Sequence, residues 1–110
     1  MKKILILRDK SFKKEVLESK IPVLVDFWAS WCPPCKMVEP IIKELAQKLD
    51  NIVKVAKINV DQNPISTSNC KIMGVPIFII FINGKEVVRR VGAQSKGHLL
   101  DMFEEVGVKI

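Results

Sequence analysis

The sequence predicts an α/β domain in which a mixed sheet of five strands is covered by four helices lying on both of its sides. Three observations predict it. Short apolar runs alternate with longer amphipathic segments along the whole chain. One early run, PVLVDFWA from Pro22 to Ala29, is almost continuously apolar, as a strand is when both of its faces are covered. Late in the chain, Asn83-Gly84 joins two strand-like runs through a two-residue hairpin. Parallel crossovers early and an antiparallel hairpin late together require a mixed sheet.

In chain order, Lys3 to Leu7 reads as a short strand, and Asp9 or Ser11 can cap a helix that buries Phe12, Val16 and Leu17. Pro22 opens the second strand. A helix follows from about Cys32 to Leu49, with Val38, Ile41, Ile42, Leu45 and Leu49 recurring on one face. Pro40 falls inside it, removes a backbone donor and predicts a kink. Ile52 to Val60 is the third strand. Asn63-Pro64, a capping residue before a proline at the first helical position, opens a helix poor in apolar residues. Pro76 to Ile82 and Glu86 to Val91 are the hairpin strands. The last helix, Ser95 to Val106, buries Leu99, Leu100, Phe103 and Val106.

A chain of 110 residues that is 48% hydrophobic can bury a core without staples, so one domain over residues 1–110 is expected. Its longest strongly apolar run, Val75 to Ile82, is far shorter than the ~20 residues a membrane-spanning helix needs. The opening MKKILIL has too short an apolar core for a secretory signal, since Arg8 and Asp9 follow at once, which reads as a cytoplasmic protein. The net charge is +6, but the 18 Lys and Arg form no block longer than two and no Tyr is present. This is a lysine-rich solvated surface rather than a nucleic-acid interface.

Three cysteines do not make a structural disulfide framework, and a cytosolic setting keeps thiols reduced, so any disulfide is transient and chemical. The informative pair lies in FWASWCPPCKM, Phe27 to Met37. Cys32 ends a buried strand segment and opens a helix, where orphan N–H groups and the positive end of the helix dipole favour a thiolate. The thiolate is the nucleophile, so Cys32 is the attacking sulfur. Cys35, one turn on and expected to be the more buried, closes a small ring as the resolving sulfur.

The two prolines have a reason to be there. A residue before proline is pushed to extended geometry, which an N-cap needs. Pro33 and Pro34 then fill helical positions where a missing N–H leaves little unpaired. Pro33 also precedes a proline, a local conflict that puts strain into the turn. A zinc site built from Cys32, Cys35, Cys70 and His98 is the competing reading, but those spacings match no usual finger.

The segment VDFWASWCPPCK resembles the active site of thioredoxins, and DKSFKKEVLES, Pro40, NVDQNP, GVPIFIIFINGK and VGAQSKGHL have counterparts in order along the chain. The resemblance implies the thioredoxin fold and a protein-disulfide reductase. It implies that Asp26, an acid inside an apolar strand, relays a proton to or from Cys35, with desolvation raising its pKa toward neutrality, and that Lys57 neighbours it. It makes Pro76 the cis-proline facing the cysteines, with the Val75 backbone open to an extended client segment. Trp31, Gly74, Val75, Gly92 and Ala93 correspond to the apolar rim that receives clients, and Trp28 to the tryptophan behind the site.

The resemblance further implies a monomer that binds no cofactor and no metal. Its disulfide would be re-reduced by a flavin- and NADPH-dependent thioredoxin reductase. Three departures stand out: Pro33 where most thioredoxins have glycine, Ile77 for a usual threonine, and Cys70-Lys71 for an aromatic and a glycine. Pro33 and Pro34 are thus the residues that modulate the redox pair.

Two other functions fit the same residues. A glutaredoxin-like or oxidising exchanger would keep the chemistry, although glutaredoxins lack the WASWC lead-in and the buried acid. A binding subunit would use the rim without turnover.

Overall fold

A computed structural model describes residues 4–110. Strands β1 (Leu5–Ile6), β2 (Val23–Trp28), β3 (Lys54–Asn59), β4 (Ile77–Ile82) and β5 (Lys85–Val91) form one sheet in the order β1-β3-β2-β4-β5. The first three pair in parallel and the last two antiparallel. Helices α1 (Asp9–Phe12, continued by a π-helical turn over Lys13–Leu17), α2 (Pro33–Lys48), α3 (Pro64–Asn69) and α4 (Lys96–Glu105) complete the expected element order.

Side-chain alternation along β2 decides what lies where. Val23, Val25 and Phe27 face the side covered by α1 and α3, where they pack with Phe12, Val16, Ile77, Ile79 and Phe81. Leu24 faces the other side, with Val38, Ile42 and Leu45 of α2 and Leu99, Met102 and Phe103 of α4. Asp26 and Trp28 share the parity of Leu24, so both are directed to the side of α2. The sheet therefore sets a charged residue beneath the start of its longest helix.

Several elements differ from expectation. Strand β1 is shorter than Lys3–Leu7. Lys3 lies outside the described residues, whereas the Leu7 amide still bonds the Lys57 carbonyl at 2.9 Å. Strand β3 starts at Lys54 rather than Ile52, which is exposed. Leu17 is also exposed, because the π-helical turn rotates it off the face that buries Phe12 and Val16. Helix α2 contains Pro40 within its span, as expected. In α4, Leu100 and Val106 are only partly buried, and Met102 takes the core position. The Ser95 hydroxyl caps that helix, accepting from the His98 amide at 3.1 Å.

The largest surprise concerns capping. Arg8, not Asp9, is the N-cap of α1. The Asp9 carboxylate instead accepts from the Ile65 and Ser66 amides at 3.1 and 2.7 Å, and so caps α3 from 56 and 57 residues away. Asn63 is the N-cap residue of α3, yet its side-chain oxygen accepts from the Asp9 amide at 2.9 Å. The two helices thus exchange caps, which explains how a segment as polar as PISTSN holds helical form.

At the hairpin, Asn83 and Gly84 have φ of 53° and 79° as a two-residue primed turn requires. A Cβ at position 84 would stand 2.6 Å from the Leu17 carbonyl oxygen, so the tip abuts the end of α1.

Candidate active site

Cys32 sits at the N-cap of α2 with extended backbone (φ −101°, ψ 104°), and Pro33 and Pro34 take the first helical positions. The Cys35 amide donates to the Cys32 sulfur at 3.2 Å. The first N–H that the prolines leave intact is therefore the one that caps. Cys32 and Cys35 are joined as a disulfide with their Cα atoms 5.3 Å apart. The expected difference in burial is absent, since the two residues are 2% and 3% exposed. What separates them is surroundings: Cys35, not Cys32, lines a small cavity that reaches Asp26.

That cavity, about 10 Å³, has room for about one water molecule. Its walls include Asp26, Trp28, Cys35, Glu39, Ile42 and Lys57. Asp26 is 3% exposed, and its Oδ1 has no hydrogen-bond partner among the described residues. Burial pushes its pKa up from 3.8 to about 7; Lys57 pulls it down and Glu39 pushes it further up. Lys57 is opposite Asp26 across the β2–β3 pairing, but its ammonium lies over the Trp28 ring, 4.9 Å from the centroid. The acid is therefore not held in a close ion pair.

The Val75–Pro76 bond is cis, and the Pro76 carbonyl accepts from the Gly92 amide at 2.8 Å. Pro76 is buried, Val75 and Gly92 half-buried, Gly74 and Ala93 exposed. Val75 and Trp28 pack with Ala29, Cys32 and Cys35 in one cluster, which brings the loop before β4 to the cysteine pair. Trp31 is 67% exposed, with its indole N–H donating to Asp61 Oδ2 at 2.7 Å. Met73, beside Gly74 in sequence, is 93% exposed and adds apolar surface.

Three participants escaped the sequence reading: Asp61, Met73 and Glu39. Only Glu39 had a signal, since it stands four residues after Cys35 on the same helix and so one turn below it.

Cys70 is half-buried and packs against the α1–α3 side of the core. Burial, and next the Glu86 carboxylate, push its thiol up to about 11 against the pull of Arg89, so it stays protonated at neutral pH. Lys71 beside it has φ of 55°, the left-handed region that the glycine of the resembled family would occupy freely. Among the described residues, no group of three or more His, Cys, Asp or Glu side chains converges to hold a metal ion, and no helix is long and apolar enough to cross a membrane.

A family model described as Thioredoxin matches residues 3–105. The chain is 53% identical over 97 residues to Thioredoxin of Rickettsia conorii, covering 88% of this chain and 92% of that protein. It is 48% identical over 106 residues to Thioredoxin of Buchnera aphidicola subsp. Schizaphis graminum, covering 96% and 97%. Thioredoxin 1 of Synechococcus elongatus is 48% identical over 97 residues, covering 88% and 91%.

Proposed function

The chain belongs to the thioredoxin family, and from that premise we propose that its Cys-Pro-Pro-Cys segment is the site at which it reduces disulfides in client proteins. The family makes it a thiol-disulfide oxidoreductase working by dithiol–disulfide exchange. The observation that carries the residue assignment is the bonded Cys32–Cys35 pair at the start of α2, with a buried acid across a water-sized cavity from the second sulfur.

The steps follow from that placement. The Cys32 thiolate, favoured at the helix N-terminus, attacks one sulfur of a client disulfide, forming a mixed disulfide and expelling the other sulfur as a thiolate. Cys35 gives its proton to the Asp26 carboxylate, and its thiolate attacks the Cys32 sulfur. The Cys32–Cys35 disulfide forms and the second client thiol leaves, so two electrons pass to the client. An acid with a pKa near 7 can accept and return a proton at neutral pH, which suits Asp26 to the task. Lys57 limits how far burial raises that pKa.

Trp31, Gly74, Val75, Pro76, Gly92 and Ala93 form the rim that receives the client, with the Val75 backbone pairing to an extended segment. Pro33 and Pro34 stiffen the loop and modulate the potential. The protein works as a cytoplasmic monomer of one domain, residues 1–110. It needs no bound cofactor and is re-reduced by a thioredoxin reductase that draws on NADPH through a flavin. The resemblance of the whole chain to thioredoxins supports these assignments.

Replacing Cys32 with Ser should abolish insulin disulfide reduction, and Cys35→Ser should accumulate a mixed disulfide visible by mass spectrometry. Full turnover by Cys32→Ser would falsify the assignment.

A further inference from the structure

The proton that Asp26 takes from Cys35 must leave an enclosed cavity, and the groups lining that cavity restrict how it can do so. Asp26 and Cys35 are buried. The Lys57 ammonium is a donor with no lone pair to accept a proton, and it is turned over Trp28. Ile4, Trp28 and Ile42 carry no ionisable group, and across the sheet Asp26 faces Phe78 of β4. Among the described lining residues, Glu39 alone can accept a proton and also reaches water: its side chain is 43% exposed, and Lys43 stands 3.9 Å away on the outer surface. Its helical spacing from Cys35 sets it one turn below the resolving sulfur.

We propose that Glu39 is the solvent-side partner of Asp26, exchanging the proton of the resolving thiol between the enclosed cavity and bulk water. This rests on the reading of Asp26 and Cys35 given above. In the resolving step Cys35 loses its proton to Asp26 through the space of one water. Asp26 then passes the proton outward to the Glu39 carboxylate, which releases it to solvent, and the expelled client thiolate takes up a proton from solvent. No electrons move through Glu39, so it acts through Asp26 and is a positioning residue for proton traffic. Charge is balanced along the way, because two carboxyls and one ammonium around the cavity are neutral when one carboxyl holds a proton. A surface glutamate serving only the ion pair with Lys43 would have no effect on the redox step.

The test uses the full chain and its Glu39→Gln and Glu39→Asp variants in weak buffer at pH 7. Single-turnover insulin reduction reports the resolving step, the rate of mixed-disulfide formation in a Cys35→Ser background reports the first attack, and carboxyl NMR follows Asp26. Glu39→Gln should slow the resolving step several-fold, leave the first attack unchanged, and lower the pH at which Asp26 titrates. Glu39→Asp should retain most of the rate. A Glu39→Gln resolving rate equal to the parent's, a slowing that Glu39→Asp shares in full, or an unmoved Asp26 titration overturns the proposal. Failure of the parent protein itself to reduce insulin would instead overturn the reading on which it rests.

Discussion

The two sides of the sheet each hold an aspartate, and the two are treated in opposite ways. On the α1–α3 side, desolvation is the largest single influence on Asp9 and pushes its pKa up, but the hydrogen bonds it accepts from Ser66 and Ile65 together outweigh it, and its pKa falls below 3.8. On the α2 side, Asp26 is buried with an oxygen unpartnered, and its pKa rises to about 7. Asp9 stabilises the fold and has nothing to exchange. Asp26 costs the fold free energy and gains a proton that can move near neutral pH. A carboxylate that is fully satisfied therefore holds its charge at neutral pH, whereas one left unsatisfied in a tight space has its pKa moved into the range where a proton can be exchanged.

The widest gap between the two sides should be seen by removing the Asp26 charge. Its folded pKa lies above the ordinary value, so its contribution favours the native state below about pH 4 and is lost as pH rises through about 7. A carboxyl moved from 3.8 to about 7 corresponds to roughly 4 kcal/mol. Asp26→Asn should then be more stable than the parent in urea at pH 8, by up to about 4 kcal/mol, and gain little at pH 4. Parallel stability curves for the two proteins would erase the contrast.

Asp9→Ala should act in the other direction and less strongly, losing about 1 kcal/mol at pH 7, the usual worth of a helix cap. Here the sign inverts: a lowered pKa gives stability above the ordinary value that disappears as pH falls through the folded one. The variant and the parent should converge in acid urea titrations. A deficit that persists in strong acid would mean that Asp9 contributes by packing rather than by charge.

The smallest effect belongs to the same side. Lys71→Gly relieves a side chain held at φ 55° and should stabilise the fold by no more than about 1 kcal/mol, seen as a higher midpoint of thermal unfolding. A lower midpoint would show that the lysine side chain contributes more than its backbone conformation costs.

The order of elements was legible in the chain because each strand or helix carries its own period and punctuation, as PVLVDFWA and Asn83-Gly84 do. The placement of Cys32 at the N-cap of α2 was legible for the same local reason: a cysteine before two prolines at a helix start specifies its own geometry. Exchange of caps between Asp9 and Asn63 was not, since both have the composition of ordinary caps and choose partners more than fifty residues away. Leu17 misled because a π-helical turn shifts the phase of a helix without altering its composition. Glu39 carried only its spacing from Cys35 as a signal, and otherwise looked like any surface acid beside a lysine until the fold closed a space between it and Asp26.

The sheet order also has a bearing on biosynthesis. Strand β2, which leads to both reactive sulfurs, lies between β3 and β4, and the loop that packs on those sulfurs immediately precedes β4. A polypeptide that has emerged only as far as β3 carries Cys32 and Cys35 but not yet Val75, which packs against them in the folded protein. The apolar cover on Cys32 and Cys35 is thus completed only by a segment forty or more residues further along the chain.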